Sequence, residues 1–144
     1  MNGNKRTVFV IGAGWIGAPL ARQLHLKGHH ILATTRNTDK CEALEKAGIQ
    51  GFLWDCSEFP SGLERSQHLV EIAGDAKLWI LTIPPVRKMD QDENEQWHCD
   101  VLRAAEQCGV EKLVLLSSTS VYPDFGSVEE SDASLESISP HSGK

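Results

Sequence analysis

Short apolar runs alternate with amphipathic stretches along this chain. Five runs have the length of strands: Thr7–Ile11, Ile31–Thr35, Gly51–Trp54, Leu78–Thr82 and Lys112–Ser117. Between them lie four stretches that predict helices: Trp15–Leu26, Asp39–Ala47, Ser61–Ala73 and Asp92–Cys108. The last is the longest, with Trp97, Val101, Ala104, Ala105 and Cys108 at helical spacing. Gly28, Gly48 and Gly109 close three of these helices, as glycine commonly does. Pro84-Pro85 keeps a helix from starting directly after the fourth strand.

Continuously apolar strands separated by helices predict a parallel sheet covered on both faces. Right-handed crossovers then give an α/β, Rossmann-type doubly wound sheet in the order 3-2-1-4-5. Ligands of such sheets bind beyond the carboxyl ends of the strands, near the switch between strands one and four. No repeat of 20–50 residues interrupts the pattern. After Tyr122 the chain turns polar, so residues 1–144 read as one domain with a polar tail over 123–144 and no separate substrate domain.

Composition narrows the picture. With 144 residues, 40% hydrophobic and 24% charged, the chain can build one globular core but not two. A net charge of -6 argues against nucleic acid or an anionic membrane as the main partner. Lys5-Arg6 before an apolar run faintly resembles a leader, but Gly12 and Gly14 break the run at once. No stretch approaches the ~20 apolar residues of a membrane span, and a cytoplasmic location is expected. Cys41, Cys56, Cys99 and Cys108 form no Cys-x-x-Cys pair and no zinc-type spacing with the histidines, so reduced thiols and no metal site are expected. His25, His68 and His98 lack paired ligands, and Asp90, Asp92, Glu93 and Glu95 cluster where a helix begins and complement its dipole.

The chemistry concentrates at the strand ends. The first strand runs into Gly12-Ala13-Gly14-Trp15-Ile16-Gly17, a Gly-x-Gly-x-x-Gly turn at a strand-to-helix junction. Gly12 allows a tight turn, Gly14 leaves room for a pyrophosphate, and Gly17 lets the helix pack close to the strand. The helix N-terminus then offers free amides and a positive dipole end to the phosphates. At the end of strand two, where NAD sites usually carry a carboxylate, the chain reads Ala33-Thr34-Thr35-Arg36, with no carboxylate until Asp39. Arg36, helped by a hydroxyl of Thr34 or Thr35, suits a 2′-phosphate, which favours NADP over NAD. Asp55 ends strand three, where it can accept from an adenine amino group or serve as a loop carboxylate. Thr82, Ile83 and Pro84 end strand four beneath the expected ribose and pyrophosphate, with Ile83 as an apolar wall. Strand five ends in Ser117-Ser118-Thr119-Ser120-Val121-Tyr122, hydroxyls able to donate to a substrate oxygen or to satisfy backbone groups.

Together, the glycine turn and the Ser-Ser-Thr-Ser-Val-Tyr segment resemble the short-chain dehydrogenase/reductase superfamily, in an atypical part of its extended NAD-dependent epimerase/dehydratase branch. The resemblance covers essentially the whole chain. It implies an NADP(H)-binding domain of an oxidoreductase acting on a carbonyl, alcohol or nucleotide-sugar substrate. Ser118 then matches the catalytic Ser/Thr, and Ser117 beside it is expected to bind the cofactor. Gly12, Gly14 and Gly17, with Trp15 and Ile16 between them, match the pyrophosphate loop. Arg36 takes the cofactor-selecting place and Asp55 the adenine-contacting one. The family's Tyr-x-x-x-Lys acid/base pair is not found. Ser142-Gly143-Lys144 aligns with its start, and the tyrosine is a serine. His141 could substitute, though a polar loop residue is the plainer reading. The chain is therefore expected to be the cofactor half of an enzyme, or alternatively a non-catalytic NADP-binding sensor or scaffold. Its fifth strand invites pairing, with a second copy or with a missing C-terminal part. A β-hydroxyacid dehydrogenase shares the glycine turn and the arginine, but not the serine-rich strand end.

Overall fold

The computed structural model describes residues 3–116. Five strands, β1 (Thr7–Ile11), β2 (His30–Thr35), β3 (Gln50–Leu53), β4 (Leu78–Leu81) and β5 (Lys112–Leu115), form one sheet in the order β3-β2-β1-β4-β5. All four pairings are parallel. The helices are α1 (Gly17–Leu26), α2 (Thr38–Lys46), α3 (Gly62–Ala73) and α4 (Gln91–Gln107). This is the expected doubly wound topology, with the strand order reversing between β1 and β4.

Strand residues alternate between two cores. Val8, Val10, Ile31, Ala33 and Ile80 pack with Ala21 of α1 and Leu44 of α2 on one face. Phe9, Ile11, Leu32, Trp79 and Leu81 pack with Leu69, Trp97, Val101 and Ala104 of α3 and α4 on the other. Both faces of β1 are therefore dry, which is why its sequence is apolar without alternation. Phe9 and Trp79 meet edge to face across β1 and β4, with ring centroids 5.1 Å apart. Trp54 and Trp97 are buried as well, as their positions in the pattern imply.

Boundaries differ from the pattern by one or two residues. Most consequential is α1, which begins at Gly17 with Ile16 as its N-cap rather than at Trp15. Trp15 and Ile16 thus belong to the turn and stand in solvent, at 98% and 60% exposure. The polar residues at helix starts act locally. Ser61 caps α3 through the Glu64 amide, and Asp90 and Glu93 form a reciprocal capping box on α4. No helix among the described residues is long and apolar enough to cross a membrane.

Candidate functional site: the glycine turn and the strand ends

The turn between β1 and α1 is braced from both neighbouring strands. Thr34 of β2 accepts from the Gly12 amide at 2.9 Å through its hydroxyl and from the Ala13 amide at 2.6 Å through its carbonyl. From the other side, the Thr82 hydroxyl donates to the carbonyls of Ile11 and Gly12, and the Thr82 amide donates to Ile11 at 3.0 Å. Gly12 adopts φ +105°, and a β-carbon there would lie 2.6 Å from Cγ1 of Ile83. Only glycine meets both demands. Ile83, expected as an apolar wall under the cofactor, packs against Gly12 itself.

Gly14 differs. A β-carbon on it would meet nothing within 4 Å, so its outer face is open. Four amides around it, those of Gly14, Trp15, Ile16 and Gly17, have no acceptor among the described residues. The N-cap of α1 contributes no side-chain hydrogen bond, and its first turn holds no acidic residue. Other helices in this chain fill the same place with Asn37, Ser61 or Asp90. An uncapped N-terminus with an open backbone face is suited to an anion, because donors and dipole point the same way. The residues present thus fit the phosphates of a dinucleotide.

Beside this turn, Ala18, Pro19, Arg22, Lys40, Ala43 and Leu44 line an open groove of about 310 Å³ between α1 and α2. Arg36 follows β2, with its side chain 70% exposed, and its Nη1 lies 4.0 Å from Oδ2 of Asp55, just past β3. Asp55 accepts from the Ser57 amide at 2.9 Å and the Ser57 hydroxyl at 2.6 Å. Burial works to raise the Asp55 carboxyl, but those two bonds, then Arg36 and Lys88, outweigh it and hold the group below the usual carboxylate range.

Two expectations need correction here. Thr34 is fully buried under the glycine turn, which takes its hydroxyl away from a phosphate, whereas the Thr35 hydroxyl accepts from the Asn37 amide at 3.3 Å and keeps its own proton to donate. Arg36 also has a carboxylate beside it after all. That carboxylate comes from β3 rather than β2, so the strand-two pattern could not reveal it. Cys56, next to Asp55, is buried, and burial chiefly pushes its thiol up to about 11. Ser117, Ser118 and the rest of the hydroxyl segment, with His141 and Ser142-Gly143-Lys144, lie outside the described residues.

Sequence reasoning passed over three buried polar residues, Asn94, Arg65 and Asp100: Asn94 bonds to Val86 after β4, and Arg65, paired with Asp100, bonds to Cys56 after β3. All three sit within helical patterns that read as amphipathic, and a polar residue there signals nothing until the helix is packed.

Comparison with known proteins follows the same lines. A model of the NAD dependent epimerase/dehydratase family matches residues 8–143. Protein YeeZ of Escherichia coli K12 is 30% identical over 127 residues, spanning 87% of this chain and 45% of that protein. The chain thus spans less than half the length of the curated relatives it matches. Among solved structures, the anaerobillin reductase ChuY of Escherichia coli O157:H7 is similar at 26% identity and a TM-score of 0.56, over 78% of this chain and 50% of that one. A Bacillus halodurans protein assigned to the NAD-dependent epimerases/dehydratases shares the fold, with a TM-score of 0.61 at 18% identity over 81% of this chain and 53% of that one.

Proposed function

Because the chain belongs to the NAD dependent epimerase/dehydratase family, we propose that it is the dinucleotide-binding part of an NADP(H)-dependent oxidoreductase or epimerase-like enzyme of the short-chain dehydrogenase/reductase type. The observation that carries this is the set of amides from Gly14 to Gly17, without an acceptor among the described residues, around an open glycine face. These amides bind the pyrophosphate. Thr34 and Thr82 keep them in place by holding Gly12 from β2 and β4. Bound dinucleotide supplies hydride exchange with a carbonyl or alcohol carbon. Likeness to a reductase, ChuY, supports that direction, and nucleotide-sugar substrates are the other class consistent with the family.

Arg36 selects NADP. Its contact with Asp55 is long and its side chain exposed, a pairing of the kind that contributes only ~0–1 kcal/mol. A charge-assisted hydrogen bond to a 2′-phosphate contributes about 1.5–3 kcal/mol. The phosphate therefore wins Arg36, leaving Asp55 to accept from the adenine amino group. Ser118, with Ser117 beside it, is the hydroxyl that donates to the substrate oxygen in this reading.

Titration of the chain with NADPH and NADH, followed by tryptophan fluorescence, tests the proposal. Trp15 stands in the turn fully exposed, whereas Trp54, Trp79 and Trp97 are buried. The expected result is a saturable response to both, tighter for NADPH, whose Trp15 component is lost in Trp15→Phe. No saturable response to either cofactor would overturn it.

A further inference from the structure

Behind the nucleotide end of the site lies a buried ion pair. Asp100 of α4 is wholly inaccessible, and Arg65 of α3 is 8% exposed. Nη1 of Arg65 meets Oδ2 of Asp100 at 2.5 Å. The other carboxylate oxygen accepts from Gln96 at 3.1 Å and from the exposed Arg103 at 3.3 Å. Ser66 donates to the Asp100 backbone carbonyl at 3.0 Å. Gly62 packs directly on the carboxylate, where a β-carbon would lie 2.7 Å from Oδ1.

Stability alone does not account for such a pair. Desolvating two charges costs much of what their attraction returns, and apolar replacements of similar volume are often neutral or stabilising. The second arm of Arg65 offers a reason. Its Nε donates at 2.8 Å to the backbone carbonyl of Cys56, in the turn after β3. The preceding residue is Asp55, whose carboxylate faces Arg36. A line of contacts therefore runs from the interior of α4, through Arg65, to the turn that carries Asp55. Arginine suits the task because its rigid fork serves two acceptors in different directions at once, which a lysine ammonium on a flexible stem does poorly.

We propose that Arg65, anchored by Asp100, is a positioning residue for nucleotide recognition: it fixes the turn after β3 so that Asp55 stands at a set distance from Arg36. The proposal rests on the reading that the adenosine end of the dinucleotide lies between Arg36 and Asp55. It adds that affinity at this end is set from residues that never touch the nucleotide.

Adenosine 2′,5′-bisphosphate, which carries the adenosine end alone, is the probe. Its dissociation constant is measured by calorimetry for the unmodified chain, for Arg65→Lys and for the paired replacement Arg65→Met with Asp100→Leu, with thermal midpoints recorded for each. Arg65→Lys keeps a cation for Asp100 but loses the fork. Both variants are expected to bind at least fivefold more weakly while remaining folded at the assay temperature. In an Asp55→Ala background the further loss on adding Arg65→Lys is expected to vanish, because Arg65 acts through Asp55. Unchanged affinity in Arg65→Lys, or a full loss persisting without Asp55, overturns the positioning role. Should the paired replacement fail to fold, Arg65→Lys and its cycle with Asp55→Ala decide the matter. Failure of the unmodified chain to bind either the bisphosphate or NADPH removes the nucleotide site itself, a result distinct from a bound site indifferent to Arg65.

Discussion

Gly17 lies so close to the carbonyl oxygen of Gly12 that a β-carbon on Gly17 would overlap that oxygen. At Gly14, two residues after Gly12, the same addition meets open space. The two glycines thus differ: the fold requires glycine at 17, whereas nothing among the described residues crowds a β-carbon at 14.

Single alanines separate these roles. Gly17→Ala is expected to destabilise the chain by about 1–3 kcal/mol, the range of overpacked sites that must shift backbone. Gly14→Ala, with φ outside the left-handed region, is expected to leave stability unchanged or slightly raised. It should nevertheless weaken NADPH binding at least tenfold, because the methyl group occupies the place of a phosphate. Urea unfolding and cofactor titration of both variants check this. Equal affinities for Gly14→Ala and the unmodified chain would refute it.

In the proposed function, the choice between cofactors hangs on Arg36. Arg36→Ala is expected to weaken NADPH at least tenfold, consistent with a lost charge-assisted bond of about 1.5–3 kcal/mol, and to leave NADH nearly unchanged. Competition binding of the two cofactors measures the ratio. Equal losses for both would count against selection by Arg36.

The contrast between these residues and others shows what can be read from a sequence. Apolar runs, glycine stops and the Gly12–Gly17 spacing are local signals, and each strand and the order of the sheet followed from them. The Asp55 carboxylate near Arg36 is nineteen positions away in the chain and arrives only when β2 and β3 pair. The Thr34 and Thr82 braces depend likewise on which strands flank β1. Asn94 and Asp100 sit in a helix rich in polar residues, and only its packing against the rest of the fold marks these two as interior.

Alkaline pH offers a test of the turn after β3. Burial chiefly lifts the Cys56 thiol from 9.0 to about 11. The folded chain therefore holds this proton more tightly than the unfolded one. Its contribution to stability is complete below pH 9 and falls away as pH rises towards 11. A shift of that size corresponds to roughly 2–3 kcal/mol. Cys56→Ala lacks this titration, so the stability gap between it and the unmodified chain is expected to narrow by that amount between pH 8 and 11. Parallel curves for the two proteins over this range would show that Cys56 does not titrate as buried.

Asn94 governs the segment between β4 and α4. Its Oδ1 accepts from the Val86 amide at 2.7 Å and from Nε1 of Trp97 at 3.1 Å. Its Nδ2 donates towards the carbonyls of Val86, Met89 and Asp90 at 3.1, 3.2 and 3.0 Å. One buried amide thus substitutes for a strand partner along a segment that Pro84 and Pro85 prevent from joining sheet or helix. Asn94→Ala strands the indole N–H of the fully buried Trp97 as well as the Val86 amide. Each unpaired buried group costs about 1–3 kcal/mol, so a total loss of about 2–6 kcal/mol is expected. The loss should be local before it is global. Hydrogen exchange at the Val86 amide is expected to quicken at least tenfold more than at the Thr82 amide, which is held independently by Ile11. If both amides quicken together, Asn94 supports the core as a whole rather than this segment.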